Sequence, residues 1–126
     1  MEDNRSNRNF REYEVWIDAV KFATEVYQTT STLPWFEKKG LCDQLQRAAV
    51  SISSNIAEGA AKPSDQDFAK YLDIALGSAY EVETQLIISK NINYITQESF
   101  DQLIIPLHSI ERQLTAFIHH IRKKRD

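Results

Sequence analysis

Four stretches of the chain carry apolar residues at helical spacing, and no segment between them alternates as a half-buried strand would. The first holds Tyr13, Trp16, Ile17, Val20, Ala23 and Tyr27 at i, i+3, i+4 and i+7. A second apolar series, Val15, Ala19, Phe22 and Val26, runs along another side of the same segment. A helix inside one bundle needs a single buried face, so the pattern assigns the first series to the core and the second to a contact between copies of the chain. Asn9 and Glu12 form a capping pair for the start of this helix. Thr29, Thr30, Ser31 and Thr32 weaken its far end, and Pro34 stops it.

The second helix carries Leu41, Leu45, Ala48, Ala49, Ile52 and Ile56, with Gly59 expected just past its end and Pro63 preventing a quick resumption. Ser64 and Asp67 make a cap for the third helix, whose core face is Phe68, Tyr71, Leu72, Ala75, Ala79, Val82 and Leu86. Asn91, Asn93 and Thr96 mark a turn and a new cap. The fourth series is Leu103, Leu107, Ile110, Leu114, Phe117 and Ile121, with Pro106 inside it, which predicts a kink or a late helix start. The expected fold is all-α: an antiparallel up-down-up-down four-helix bundle, one domain over residues 1–126, with an open helical array as the alternative. Residues 1–9 and 122–126 read as flexible basic ends.

Helix two also has a polar stripe beside its apolar face: Gln44, Arg47, Ser51, Asn55 and Glu58. Helix three offers Ser78, Glu81 and Gln85 in the same relation. Counting outward from the turn near residue 62 brings Arg47 and Glu81 to similar heights, which predicts an Arg47–Glu81 pair with Ser51, Asn55 and Ser78 hydrogen-bonded nearby. Gly77 lowers helix stability by about 1 kcal/mol against Ala, so close helix packing, or less simply a ligand, is expected to need the space.

Composition narrows the class. Only 3 Gly and 3 Pro occur in 126 residues, about 42% of which are hydrophobic and 26% charged, as in a soluble helical domain. One cysteine, Cys42, excludes an internal disulfide. No run approaches a membrane span and the N-terminus lacks the apolar stretch of a secretory signal, so a cytoplasmic location is expected. The net charge of −3 hides a +1 segment at residues 1–11, a +3 segment at 119–126 and a body at −7. An antiparallel bundle gathers both chain ends, placing Arg5, Arg8 and Arg11 with Arg122, Lys123, Lys124 and Arg125 as a candidate nucleic-acid contact against the plainer reading of solvated tails.

Catalytic signatures are missing. The scattered glycines form no phosphate loop, and Cys42 has no flanking His and reads as a small packed side chain. His108 and Glu111 are one turn apart but give a Glu/His spacing once and in reverse order, so no metal is expected. His119 and His120 read as a solvated helix end, and Asn55 with Glu58 as hydrogen-bonding groups rather than an acid–base pair. No cofactor is expected.

The run GLCDQLQRAAVSISSNIAEG at 40–59, followed by DFAKYLDIALGSAYEVETQL at 67–86, resembles the 23S rRNA intervening-sequence proteins. Their Q-L-x-R-A-A-x-S-I-x-x-N-I-A-E-G pattern falls on Gln44, Leu45, Arg47 to Ala49, Ser51, Ile52 and Asn55 to Gly59. Their F-x-x-x-L-x-I-A-x-G-S-x-x-E-x-x-x-Q-L pattern falls on Phe68, Leu72, Ile74, Ala75, Gly77, Ser78, Glu81, Gln85 and Leu86. Ser53 stands where Pro is frequent and Lys62 where Arg is. The resemblance implies a homopentamer of four-helix bundles. It implies nucleic-acid association only through a related, strongly basic branch, the accessory proteins of diversity-generating retroelements. The resulting expectation is a non-enzymatic oligomeric scaffold touching RNA or DNA through its basic ends. Its rivals are an adaptor docking another protein on Trp35 and Phe36, and a binder of a small ligand in a central channel.

Overall fold

The computed structural model describes residues 3–124. Four long helices make up most of it: α1 (Glu14–Thr30), α2 (Leu41–Ala60), α3 (Asp65–Asn91) and α4 (Gln97–Lys123). Short 3-10 turns at Arg5–Asn7, Phe10–Glu12 and Trp35–Glu37 join or precede them. No strand occurs among the described residues.

Pairings across the helices fix their directions. Ser51 meets Ser78 at 2.9 Å and Gln44 meets Gln85 at 3.3 Å, so numbers fall along α2 as they rise along α3. Glu83 with His108 and Asp73 with Arg122 repeat the relation for α3 and α4. Asp18 with Gln113, and the ring contact of Tyr13 with Phe117, do so for α1 and α4. The result is an antiparallel four-helix bundle around one core, in which Phe22, Leu45, Ile52, Ile56, Phe68, Leu72, Leu107 and Leu114 are among the side chains closed off from water.

Two of the three expected N-terminal caps form as the sequence indicates. The Ser64 hydroxyl accepts from the Asp67 amide at 3.1 Å, and Thr96 accepts from the Ser99 amide at 3.1 Å. Asn9 and Glu12 do not cap α1, whose N-cap position is Tyr13 and carries no side-chain cap because residues 10–12 form their own 3-10 turn. The α3–α4 turn uses Asn93 at φ 66°, a left-handed conformation that Asn tolerates better than most residues. Pro106 does not delay α4, which starts at Gln97 and runs through it. Burial of Phe100 and Leu103 ahead of the proline secures that first stretch, and the carbonyl left without its helical partner belongs to Gln102, an exposed residue.

Three further expectations are corrected. Val15, Ala19, Phe22 and Val26 are not an oligomer face: they are the buried face of α1. The other series is the mixed one, with Ile17 46% and Val20 39% exposed. Phe22 is the large residue that α1 contributes to the core, and filling the bundle with it turns Ile17, Val20 and Tyr27 outward. The close-packing glycine is Gly59 rather than Gly77. Gly59 lies within α2, not beyond it, and a Cβ there would stand 2.6 Å from Tyr71 Cβ and 2.9 Å from Phe68 Cδ1. A Cβ on Gly77 would meet nothing within 4 Å. The third concerns the chain ends: residues 122 and 123 continue α4, and residues before α1 are docked, with the Asn4 amide donating to the Pro63 carbonyl.

Candidate functional site

The polar stripe of α2 and α3 is a set of interhelical ties, though not the one expected. Asn55 Nδ2 donates to the Ser51 carbonyl and to Ser51 Oγ, and Ser51 shares a hydrogen bond with Ser78. Gln85 Nε2 donates to Gln44 Oε1 and Glu81 Oε2. Arg47 does not pair with Glu81. Its side chain is 79% exposed and bonds Asp43 one turn back at 2.9 Å, a pairing that lets the guanidinium stay in water. Glu58 is exposed. These contacts align two helices and offer no cleft.

The chain ends do converge: Arg8, His120 and Lys124 line one groove with Tyr13 and Asp65. Much of the positive charge there is already engaged. The Arg8 side chain is 6% exposed, donates to the carbonyls of Ala60 and Lys62, reaches Asp65 Oδ1 at 2.7 Å and lies over the Phe68 ring. Burial alone would raise the Asp65 carboxyl, but hydrogen bonds from Arg8 and Asn4 outweigh it and hold the carboxyl below its usual range. Arg5 pairs with Asp3, whose carboxyl the Arg5 side chain pulls down to about 2. Arg122 pairs with Asp73, and Arg11 sits over the Phe10 ring. Lys123 and Lys124 remain exposed, and Arg125 lies outside the described residues. A basic rim built from these residues is therefore far weaker than the charge count indicates.

A second basic surface lies at the opposite end of the bundle. The α1–α2 connection and the first turns of α2 enclose an open cleft of about 800 Å³, lined by residues that include Tyr27, Trp35, Lys38, Lys39, Gln46 and Arg47. Gln46 Nε2 donates to Thr30 Oγ1 at 3.0 Å and fixes the floor by tying α2 to the end of α1. Pro34 leads into the Trp35–Glu37 turn. Glu37 Oε1 accepts from the Leu41 amide, and the Trp35, Phe36 and Tyr94 rings form an edge-to-face chain linking this turn to the α3–α4 turn. Trp35 is nevertheless 86% exposed, on a turn whose Phe36 ring contacts Tyr94. Burial first, and then a bond to Glu37, raises the Tyr94 phenol, so that group stays neutral at ordinary pH. Periodicity passed over Lys38 and Lys39 because they lie in a connection; the signal available was two lysines one residue beyond a Trp-Phe pair behind a proline.

These features define an all-α helical bundle with interhelical polar ties and a basic, aromatic-edged cleft at one end. Residues 11–116 match the 23S rRNA-intervening sequence protein family, and the chain belongs to that family. The crystal structure of a protein with unknown function from the S23 ribosomal protein family of Bacteroides thetaiotaomicron VPI-5482 aligns with a TM-score of 0.77 at 29% identity, covering 82% of this chain and 97% of that one. A comparison with curated proteins gave no match. No helix among the described residues is long and apolar enough to cross a membrane.

Proposed function

We propose that the protein is a non-catalytic, self-assembling cytoplasmic scaffold that holds single-stranded RNA in the cleft between the α1–α2 connection and α2. The observation that carries this reading is Trp35, an almost fully exposed indole on a cleft that also presents Lys38 and Lys39, with Arg47 there paired to Asp43. Aromatic faces stack on unpaired bases, and neighbouring cations follow the phosphate backbone. The description of the family as rRNA-intervening sequence proteins supports RNA as the polymer. The contact moves from the chain ends to this cleft because Arg5, Arg8 and Arg122 are held by carboxylates.

Self-assembly is supported by the outward aliphatic stripe of α1, where Ile17, Val20 and Tyr27 stand in water in the single chain. The family resemblance implies five subunits, and a ring repeats the cleft around its axis so that one RNA can be held at several points. Light scattering should give a mass well above 14.6 kDa, and a strict monomer at high concentration would remove assembly from the proposal.

Fluorescence anisotropy with a short labelled single-stranded RNA tests the contact. Trp35→Ala should weaken binding by about 5- to 150-fold, the span of one stacked base. Lys38→Ala with Lys39→Ala should reduce the salt slope by about 1.4. Binding indifferent to these changes but lost on Lys123→Ala with Lys124→Ala would return the contact to the chain ends. Retention of proteins rather than RNA, insensitive to salt and dependent on Trp35 and Phe36, would establish the adaptor instead.

A further inference from the structure

A separate cluster lies on the α3–α4 side of the bundle. Glu83 on α3 faces His108 and Glu111 on α4, and one potential ligand atom from each lies within 4.8 Å of the other two. His108 Nε2 is 3.5 Å from Glu83 Oε2. His108 and Glu111 stand three residues apart, one above the other on the same helix face. The sequence argument against a metal counted only α4; Glu83, which the antiparallel register brings across from α3, supplies the missing donor.

Two details set this cluster apart from a chance grouping of charges. Glu111 Oε2 is closed off from water and receives no hydrogen bond from a donor group among the described residues; what faces Glu111 is the Glu83 carboxyl, an arrangement that costs free energy unless a proton or a cation lies between the two. The cluster also opens onto a hollow of about 550 Å³, lined by Tyr80, His108, Glu111, Arg112, Thr115 and His119, which gives an ion a path in and room for a water ligand. Burial, and then the facing Glu83 carboxylate, push the Glu111 carboxyl up to about 8, with Arg112 opposing, so Glu111 keeps its proton at neutral pH when nothing else is bound.

We propose that Glu83, His108 and Glu111 form a divalent transition-metal site bridging α3 and α4, with two carboxylate oxygens and one imidazole nitrogen as ligands and solvent completing the coordination. The donor set suits zinc(II) or cobalt(II), with imidazole disfavouring magnesium or calcium. The separations exceed those around a bound ion, so small side-chain rotations draw the donors together.

Isothermal titration of the chelator-treated full chain with zinc chloride at pH 7.5 tests this. The expected result is one ion per chain, a raised melting temperature, and at least about a tenfold loss of affinity in both His108→Ala and Glu111→Gln. His120→Ala, on the chain-end groove, should bind as the parent does. Cobalt(II) added to the unmodified protein gives a reading independent of any variant's folding: visible bands of a bound ion that zinc abolishes. No saturable zinc binding, binding unchanged in both ligand variants, or a spectrum of aqueous cobalt would each overturn the site; the first would leave a carboxyl pair that shares a proton.

Discussion

Removing the Arg8 side chain should destabilise the bundle by about 2–3 kcal/mol. Arg8 precedes α1, yet its guanidinium is inserted where α2 ends and α3 begins. It donates to the carbonyls of Ala60 and Lys62 and to the Asp65 carboxylate, and its plane covers Phe68. Each contact places positive charge where it is favoured, at the carbonyl end of α2 and against an acid at the amide end of α3. Breaking a fully buried ion pair from one side costs about 3–5 kcal/mol. Asp65 is not fully buried and keeps Asn4 as a donor, so water and the α3 terminus recover part of the loss in Arg8→Ala. For a chain of this size the remainder lowers the melting temperature by about 8–12 °C. Arg8→Lys keeps the charge without the planar fork and should fall in between. Asp65 is a carboxyl lowered from 3.8, so its contribution is present above that pH and disappears as pH falls through the lowered value. The gap between parent and Arg8→Ala should narrow in acid correspondingly. Circular dichroism melts and urea titrations at pH 7 and pH 3 measure all of this. A loss under about 0.5 kcal/mol at pH 7 would mean that Arg8 is a solvated surface residue and that the N-terminal segment is not docked.

Gly59→Ala should lower stability by about 1–2 kcal/mol, because overpacking against Tyr71 and Phe68 exceeds the helix-propensity gain, whereas Gly77→Ala should raise it by about 0.5–1 kcal/mol; urea midpoints compare the two. Arg47→Ala should change stability by less than about 0.5 kcal/mol, since an exposed pair one turn apart contributes little, and the same titration checks it. In chelator-treated protein, Glu111 is protonated in the folded state at pH values where the unfolded chain has lost the proton. Stability should accordingly fall by about 1–2 kcal/mol, after allowance for solvent exposure, as pH rises from 4.5 to about 8; Glu111→Gln should flatten that slope in melts across the range.

The fold was legible because helical periodicity reports burial directly. The caps at Ser64 and Thr96 and most of the core residues of α2, α3 and α4 stand where spacing puts them, though Leu41, Tyr71 and Phe117 are only partly buried and Ile118 joins the core. Periodicity could not decide which of two apolar faces of α1 turns inward, because that depends on which fills the space left by three other helices. Phe22 fills it. Nor could it choose a partner for Arg47, where Asp43 one turn away competed with a longer reach to Glu81. The charged ends misled for a related reason: composition counts Arg5, Arg8 and Arg122 as positive, while folding sets a carboxylate beside each. Glu83 and Glu111 were invisible as a pair until α3 and α4 were laid side by side. Trp35 and Phe36 could be named from sequence as exposed aromatics, but not the lysines and the tied helix ends that make a cleft around them.

Indole emission gives the most direct test of the RNA-holding cleft. The protein has two tryptophans, and a Trp16→Phe background leaves Trp35 as the sole reporter. Titration with single-stranded RNA at low salt should quench that emission saturably, with an apparent affinity that falls as salt rises and recovers on dilution. Emission unchanged while a labelled RNA is demonstrably bound, or no binding at any salt, would contradict a stacking contact at Trp35 and with it the function assigned to this end of the bundle.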